Sequence, residues 1–392
     1  MIRVGFHYSF SKNSWLEGVV YLKNLFEGID NAKNIKIKPV IITDFECTKE
    51  DLSSFKGVEV IKSNLFSRSN FNRIINKIII IFFGKNIFVQ NFLKKNNVQV
   101  LSHFSVLGKK SKIPSIYWQP DFQEFNNPKY ISFKRRMFRR FNIYLFSWHS
   151  NRILLSSNTV KKELKKINPN AYKKAEVLRP TFSNLSNNSY KSLNYLKKKF
   201  KIKNNYFFLP NHFWSHKNHI LVLQSLIYLK EKKKLKNIEI VSTGLFNDYR
   251  NPNHRDKIID IIKTHKLENN FRILGVVSYQ ELMSLMKFSI AVINPSKSEG
   301  WSSTVEQAKS LGKFVLLSNL PVHQEQNPKR SFYFKVNDYL SLSKKIHDLN
   351  KNFSYKKDLV FIKKAINQTI QEKKKFIFDY EKLINKVINS SI

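Results

Sequence analysis

The stretch NPSKSEGWSSTVEQAKSLGK, residues 294–313, follows the apolar run IAVI (290–293) and leads into a second, FVLLSN (314–319). A strand ending near 296, a tight connection through Gly300 and a helix beginning between Ser302 and Thr304 set backbone N–H groups and the positive end of a helix at a strand terminus. Such an end attracts anions, a diphosphate among them. Ser302, Ser303 and Thr304 are equally ordinary N-cap residues, and spacing alone does not choose between capping and anion binding.

Outward from this stretch the second half of the chain alternates short apolar runs with helix-compatible segments. NYFFLPN (205–211) precedes a helix expected over about 218–234, IEIVSTG (238–244) precedes KIIDIIKTH (257–265), and FRILG (271–275) precedes QELMSLMKF (280–288). The first half does the same with IRVGFHY, IKPVIIT, VEVIKS, VQVLSHF, SIYWQ and RILLSS, the first of them followed by a helix over 16–29. Runs of this length spaced by helices predict parallel strands with helical crossovers. A polar, Lys-rich segment at 183–205 reads as the linker between two α/β domains, which predicts a cleft where ligands meet the C-terminal strand ends. Length agrees, since 392 residues exceed one ordinary core.

Composition bounds the function. At 42% hydrophobic and 14% aromatic the chain is globular. A single cysteine, Cys47, excludes an internal disulfide and any multi-cysteine metal site, and points to a reducing compartment. No apolar segment reaches the length of a membrane helix: IIIIFF (78–83) is bounded by Lys77 and Lys85. The start has no signal-peptide layout, so a cytoplasmic location is expected. The net charge of +41 asks for an acidic partner, although Lys, Asn and Ile excess is also what an A+T-rich genome produces. FKRRMFRR (133–140) stands apart: it holds four of the 13 arginines. On a helix Arg135, Arg136, Arg139 and Arg140 would form a basic face edged by Phe133, Met137 and Phe138, suited to an anionic membrane surface on the inner leaflet or to a lipid-linked diphosphate, or simply to solvent.

The stretch from Pro295 to Lys313 resembles the nucleotide-sugar motif of retaining family 4 glycosyltransferases of bacterial surface-polysaccharide type. The resemblance implies the GT-B fold, two Rossmann-like domains, here 1–190 on the acceptor side and 191–365 on the donor side, with a helix over 366–392 crossing back to the first. In that family a glutamate, seven residues and a second glutamate bracket the turn, contacting donor sugar and ribose. Glu299 matches the first; at the second stands Gln307, with Glu306 beside it and about 100° round the helix. The resemblance also implies donor contacts from Gly300, Trp301, Ser302, Ser303 and Thr304. LPNHFWSHKNH (209–219) matches the basic pair on the donor diphosphate, with Lys217 at the lysine position and His212 where the family has arginine. A metal reading of His212, His216 and His219 lacks a nearby carboxylate.

In the first half QPDFQEFNNP (119–128) resembles a PDFQH stretch of the same family, with Glu124 for histidine, Pro120 at the position of a sugar-facing histidine and Asp121 retained. The loop after the first strand matches the family's glycine-rich approach to the phosphates, with Gly18 as its remaining glycine and Glu17 before it; a plain helix start is the competing reading. The implied function is retaining transfer from a nucleotide-sugar donor to a saccharide or lipid-linked acceptor, with no metal or other cofactor. Orientation and charge stabilisation come from Glu299, Lys217 and Asp121. Two rivals share parts of the pattern: a GT-B sugar epimerase, and a basic nucleic-acid-binding protein, for which no RNA-binding or zinc-finger signature appears.

Overall fold

The computed structural model describes all residues except 10–15, 68, 104–105, 127, 129–130, 183–188, 249 and 391–392, and the side chains of 16, 17, 70 and 124. The loop before Gly18, and the side chains of Glu17 and Glu124, therefore lie outside the described residues. The chain divides into two compact units, one of Met1–Phe122, Phe133–Thr181 and Glu372–Ile392, the other of Gln123–Ser132 and Phe182–Gln371.

The first unit is built on a seven-stranded, all-parallel sheet. Its strands are β1 (Ile2–His7), β2 (Ile37–Thr43), β3 (Glu59–Lys62), β4 (Val100–His103), β5 (Ser115–Gln119), β6 (Arg152–Leu155) and β7 (Ala175–Val177), in the order β3-β2-β1-β4-β5-β6-β7. Its helices are α1 (Leu16–Asp30), α2 (Asn70–Phe83), α3 (Ile87–Lys95), α5 (Phe133–His149), α6 (Asn158–Ile167) and α7 (Pro169–Tyr172); the short α4 (Gln123–Asn126) goes with the second unit. Six runs read as strands from the sequence pair as such; β7, only three residues long, is added at the edge. IIIIFF is the end of α2, which Gly84 stops in the left-handed conformation at φ 69°.

The second unit has a six-stranded parallel sheet of β8 (Tyr206–Pro210), β9 (Glu239–Thr243), β10 (Phe271–Ile273), β11 (Val292–Asn294), β12 (Val315–Ser318) and β13 (Ser331–Phe334), ordered β10-β9-β8-β11-β12-β13. Around it lie α8 (Leu193–Phe200), α9 (His219–Glu231), α10 (His254–Thr264), α11 (Tyr279–Phe288), α12 (Ser303–Ser310), α13 (Pro321–Gln326), α14 (Tyr339–Asn352) and α15 (Tyr355–Asn389). The segment read as a linker is in part α8: Ser192 caps it by accepting from the Tyr195 amide, and Leu196 is fully buried. Leu193, Leu196 and Phe200 make an apolar stripe at helical spacing that the surrounding lysines disguise.

Both sheets are buried on both faces, as parallel sheets are. β8 and β9 are buried at every position. In the first unit Val4, Phe6, Leu25, Ile116 and Leu154 pack with Phe376, Tyr380, Leu383 and Ile384 of α15. Each such side chain contributes about 1.5–3 kcal/mol on burial. Gly28 lets α1 meet α15 closely, since a Cβ there would collide with Ile377. The earlier part of α15 belongs to the second unit, where Asp358 pairs with the buried Lys313 and accepts from Arg330 Nη1 at 2.6 Å.

Candidate functional site

In the second unit the strand order turns at β8: β9 lies on one side and β11 on the other, so the connections leave in opposite directions and open a crevice at the C-terminal ends of β8 and β11. The loops after these two strands are the two motif stretches. Their backbones are joined, with the Lys297 amide donating to the His216 carbonyl at 2.7 Å.

After β8 the chain passes through Asn211–Trp214 to a single 3-10 turn, Ser215–Lys217, and Asn218 then adopts φ 59° to start α9. Gly244, at φ 134°, allows the close approach of this loop: a Cβ would lie 2.6 Å from the Asn211 carbonyl oxygen. Asp248 braces the turn, accepting from Ser215 N at 2.8 Å and Ser215 Oγ at 3.0 Å, and from Arg250 Nε at 3.2 Å. Burial pushes the Asp248 carboxyl up, but the Ser215 and Arg250 donors hold it net below its usual range. The Arg250 guanidinium also lies over the Trp214 ring at 4.7 Å. Neither Asp248 nor Arg250 was singled out from the sequence; no local spacing marks them.

Lys217 Nζ donates to Glu299 Oε1 at 2.7 Å. Burial pushes the Glu299 carboxyl up, and the Lys217 ammonium outweighs it, so it stays ionised below the normal carboxylate range. Ser296 Oγ, 2.6 Å from the same oxygen and 2.7 Å from Asn294 Oδ1, shares its one proton between them. Asn294 Nδ2 donates to Ser302 Oγ at 2.7 Å, and that hydroxyl oxygen also accepts from the Val305 amide as the N-cap of α12. A chain of side chains thus runs from the ammonium of Lys217 to the start of α12.

The remaining motif residues divide. Gly300 and Trp301 form the approach to α12, and Ser303, its first residue, is half-buried. Thr304 Oγ1 donates to the Pro210 carbonyl at 3.2 Å, tying α12 to β8. Glu306 accepts from Lys309 Nζ at 3.2 Å and from Gln326 Nε2 at 2.9 Å, so its carboxylate is turned to α13. Gln307 is buried on a different side of α12, without those partners. His212 Nδ1 accepts from the Leu245 amide at 2.9 Å, which leaves Nε2 to carry the ring proton. His216 is pushed down to about 3 by burial and by Lys217, and is neutral at pH 7. His219 stacks on Phe213 in the core with ring centroids 4.1 Å apart. Among the described residues no group of three His, Cys, Asp or Glu side chains is placed to hold a metal ion.

Gly18 and Asp121 are in the first unit. Gly18 is buried in the first turn of α1. Asp121 follows β5, its carbonyl accepting from Gln119 Nε2 and its carboxylate 4.0 Å from Arg139 Nη2. Arg139, one of the four clustered arginines, is thereby drawn inward. Arg136, Arg139 and Arg140 are half-buried and Arg135 exposed, so the basic face expected of α5 is not its outermost one.

Two Rossmann-like domains with parallel sheets make the fold GT-B, and solved structures share it over their whole length. A glycosyltransferase from Rickettsia africae ESF-5 superposes with TM-score 0.66 at 17% identity, covering 100% of this chain and 98% of that one. The Anabaena protein Alr3699/HepE in complex with UDP and glucose gives TM-score 0.68 at 12% identity, and the apo lipopolysaccharide outer core galactosyltransferase WaaB 0.62 at 13%, each covering 100% of both chains. Residues 194–368 match the family model described as glycosyl transferases group 1. That matched stretch falls within the second unit, and Lys217, Glu299 and Gln307 all lie inside it. No curated protein matches the sequence.

Proposed function

We propose that the chain transfers a glycosyl group from a nucleotide-sugar donor to a saccharide acceptor with retention of configuration. The observation that carries this reading is the Lys217–Glu299 pair at the strand-order reversal, joined through Ser296 and Asn294 to the N-terminus of α12. A nucleoside diphosphate group fits an ammonium beside a helix start, because both oppose its charge. Gln307 reaches the ribose as donor and acceptor, while Glu306 stays with Lys309 and Gln326.

In the proposed reaction the bond from the anomeric carbon to the diphosphate oxygen breaks, and the diphosphate leaves with the electron pair. The acceptor hydroxyl adds to the same face, and its proton passes to the departing diphosphate. Lys217 and the α12 amides oppose the charge that develops on the leaving group, and Glu299 orients the sugar; no protein nucleophile is required. Asp121, in the first unit, is assigned to the acceptor. That UDP and glucose occupy the Anabaena protein makes UDP-sugars the first donors to test, and the galactosyltransferase likeness supports a surface-glycan or lipid-linked acceptor.

The test is a nucleotide-sugar panel read by thermal shift and by release of nucleoside diphosphate, with NMR of the product's anomeric signal. A bound donor at about 100 times its Kd raises the unfolding free energy by about 2.7 kcal/mol. A panel in which no nucleotide sugar shifts the melting temperature or is turned over refutes the proposal; an inverted product refutes the retaining step alone.

A further inference from the structure

Two helices of the first unit turn apolar stripes to solvent. On α2 Phe71, Ile74, Ile78 and Phe82 follow at steps of three, four and four, which is one face of a helix, and Phe71 and Phe82 are 72% and 79% exposed. On α5 Phe133, Met137, Phe141, Tyr144 and Trp148 follow at steps of four, four, three and four, with Phe133 67% and Trp148 58% exposed. The helices are neighbours: Lys77 Nζ of α2 donates to Asn142 Oδ1 of α5 at 2.8 Å and sits 4.6 Å from the Phe138 ring centre. The buried sides are ordinary, since Ile80 and Ile143 point into the unit. Polar and apolar faces are therefore reversed relative to a surface helix of a water-soluble domain, where exposed aromatic and β-branched stripes are avoided.

We infer that the α2–α5 face docks in the interface of a lipid bilayer carrying anionic headgroups. Charge selects this occupant. Neither helix holds an acidic residue, whereas Arg73, Lys77, Lys134, Arg135, Arg136 and Arg139 lie along or beside the stripes, in a protein of net charge +41. A second copy of the chain would set this basic surface against itself across a two-fold axis. Nucleic acid would match the charge and leave the isoleucines in water. An anionic bilayer satisfies both, taking the apolar side chains below the headgroups and the cations among them.

The geometry is that of lying on a membrane. No single helix among the described residues is long and apolar enough to cross one, and α2 with α3 reaches that length only through a bend of 102°. At 14 and 17 residues, α2 and α5 are about 21 and 25 Å long, suited to the interfacial plane. Trp148 sits toward the C-terminal end of α5, and a ring with a polar edge favours the headgroup level. This inference is independent of the transfer reaction, because it concerns the first unit's outer face and none of the residues assigned to the donor.

Flotation of the full chain with vesicles of phosphatidylcholine, alone or mixed with phosphatidylglycerol, tests it. The wild type is expected to float with the mixed vesicles and to keep a fraction bound in high salt, where charge attraction is screened. The variant Ile74→Gln/Ile78→Gln/Phe82→Gln should lose about 100-fold or more in partitioning. Arg73→Gln/Lys134→Gln/Arg135→Gln should lose about 10-fold, only in low salt and only on anionic vesicles. Thermal melting and nucleoside diphosphate binding are measured on each variant, and both should match the wild type. Should the α2 variant melt low, Phe133→Ser/Met137→Gln, altering two exposed residues of α5, provides the same reading. The inference is overturned if the apolar variants float like the wild type, if the wild type fails to float, or if it is a stable dimer in solution that they dissociate.

Discussion

The two sheets share one topology and differ in what stands at its turning point. In each the first strand lies between the second and the fourth, so each has the same crevice-forming reversal. In the first unit the position at the end of β4 is filled by His103, at φ 79°, with Ser102 Oγ 2.7 Å from Nδ1 and Tyr21 Oη 2.8 Å from Nε2. Tyr380 Oη donates to Ser102 Oγ at 3.1 Å, and Trp118 stacks on Tyr21. Both imidazole nitrogens are occupied and the ring is fully buried. In the second unit the same reversal carries an ammonium, a carboxylate and a helix start. A fold repeated in one chain thus supplies a frame twice, and the loop residues decide where the chemistry goes.

The sharpest break of this contrast is Lys217→Ala. It should weaken binding of a nucleoside diphosphate by about 1.5–3 kcal/mol, through loss of a charge-assisted contact. It should also lower the unfolding free energy by about 3 kcal/mol, because Glu299 is left ionised and poorly solvated. Titration calorimetry and urea unfolding measure the two separately, and an unchanged affinity would move the donor site elsewhere. Acid should act on the first unit's counterpart. Burial holds His103 at about 3 against an ordinary 6.5, so the unfolded chain binds the proton first. Stability from this group is complete above about pH 6.5 and falls as pH drops toward 3, by up to about 1.4 kcal/mol per unit. His103→Asn, a residue that tolerates positive φ, should remove about one proton from that slope in pH-resolved urea unfolding. An unaltered slope would show that His103 is protonated in the folded state.

Smaller effects test the register of α12. Glu306→Ala should cost about 1 kcal/mol of stability, through Lys309 and Gln326, with donor affinity unchanged. Gln307→Glu should keep or raise donor affinity by about 1 kcal/mol, since a carboxylate binds ribose hydroxyls more strongly. The reverse pattern in calorimetry would assign the ribose to Glu306. The smallest change is expected of His212→Arg. A new cation by the diphosphate is partly offset by loss of the acceptor for the Leu245 amide, and a net gain of about 0.5 kcal/mol or less is expected.

Periodicity made the frame readable. Short apolar runs such as those of β2, β8 and β12 could only be buried strands, and Gly300 with Ser302 marked a turn and a cap that local chemistry alone produces. What escaped reading depends on partners distant in sequence. Asp248 and Arg250 are two among many polar loop positions until Ser215 and Trp214 are brought beside them. Glu306 and Gln307 are adjacent letters, separated only when Gln326 claims the first. On α5 the arginines stand out, while the stripe from Phe133 to Trp148 reads like any buried helix face; which side is buried is set by β5 and α2, and not by the helix itself. The lysines of α8 hid a helix for the same reason.

The long helix α15 also fixes an order in time. The first unit's strands and crossovers are complete in the chain by residue 181, yet Phe376, Tyr380, Leu383 and Ile384 complete its core. At synthesis rates of about 5–20 residues per second, those side chains leave the ribosome about 10–40 s after Thr181. Over that interval the sheet of the second unit, whose last strand ends at Phe334, can form while Leu25 and Phe6 still face water. The half of the protein made first is thus the half finished last, and a nascent chain halted before residue 376 should be cleaved by protease within its first 180 residues while the second unit resists.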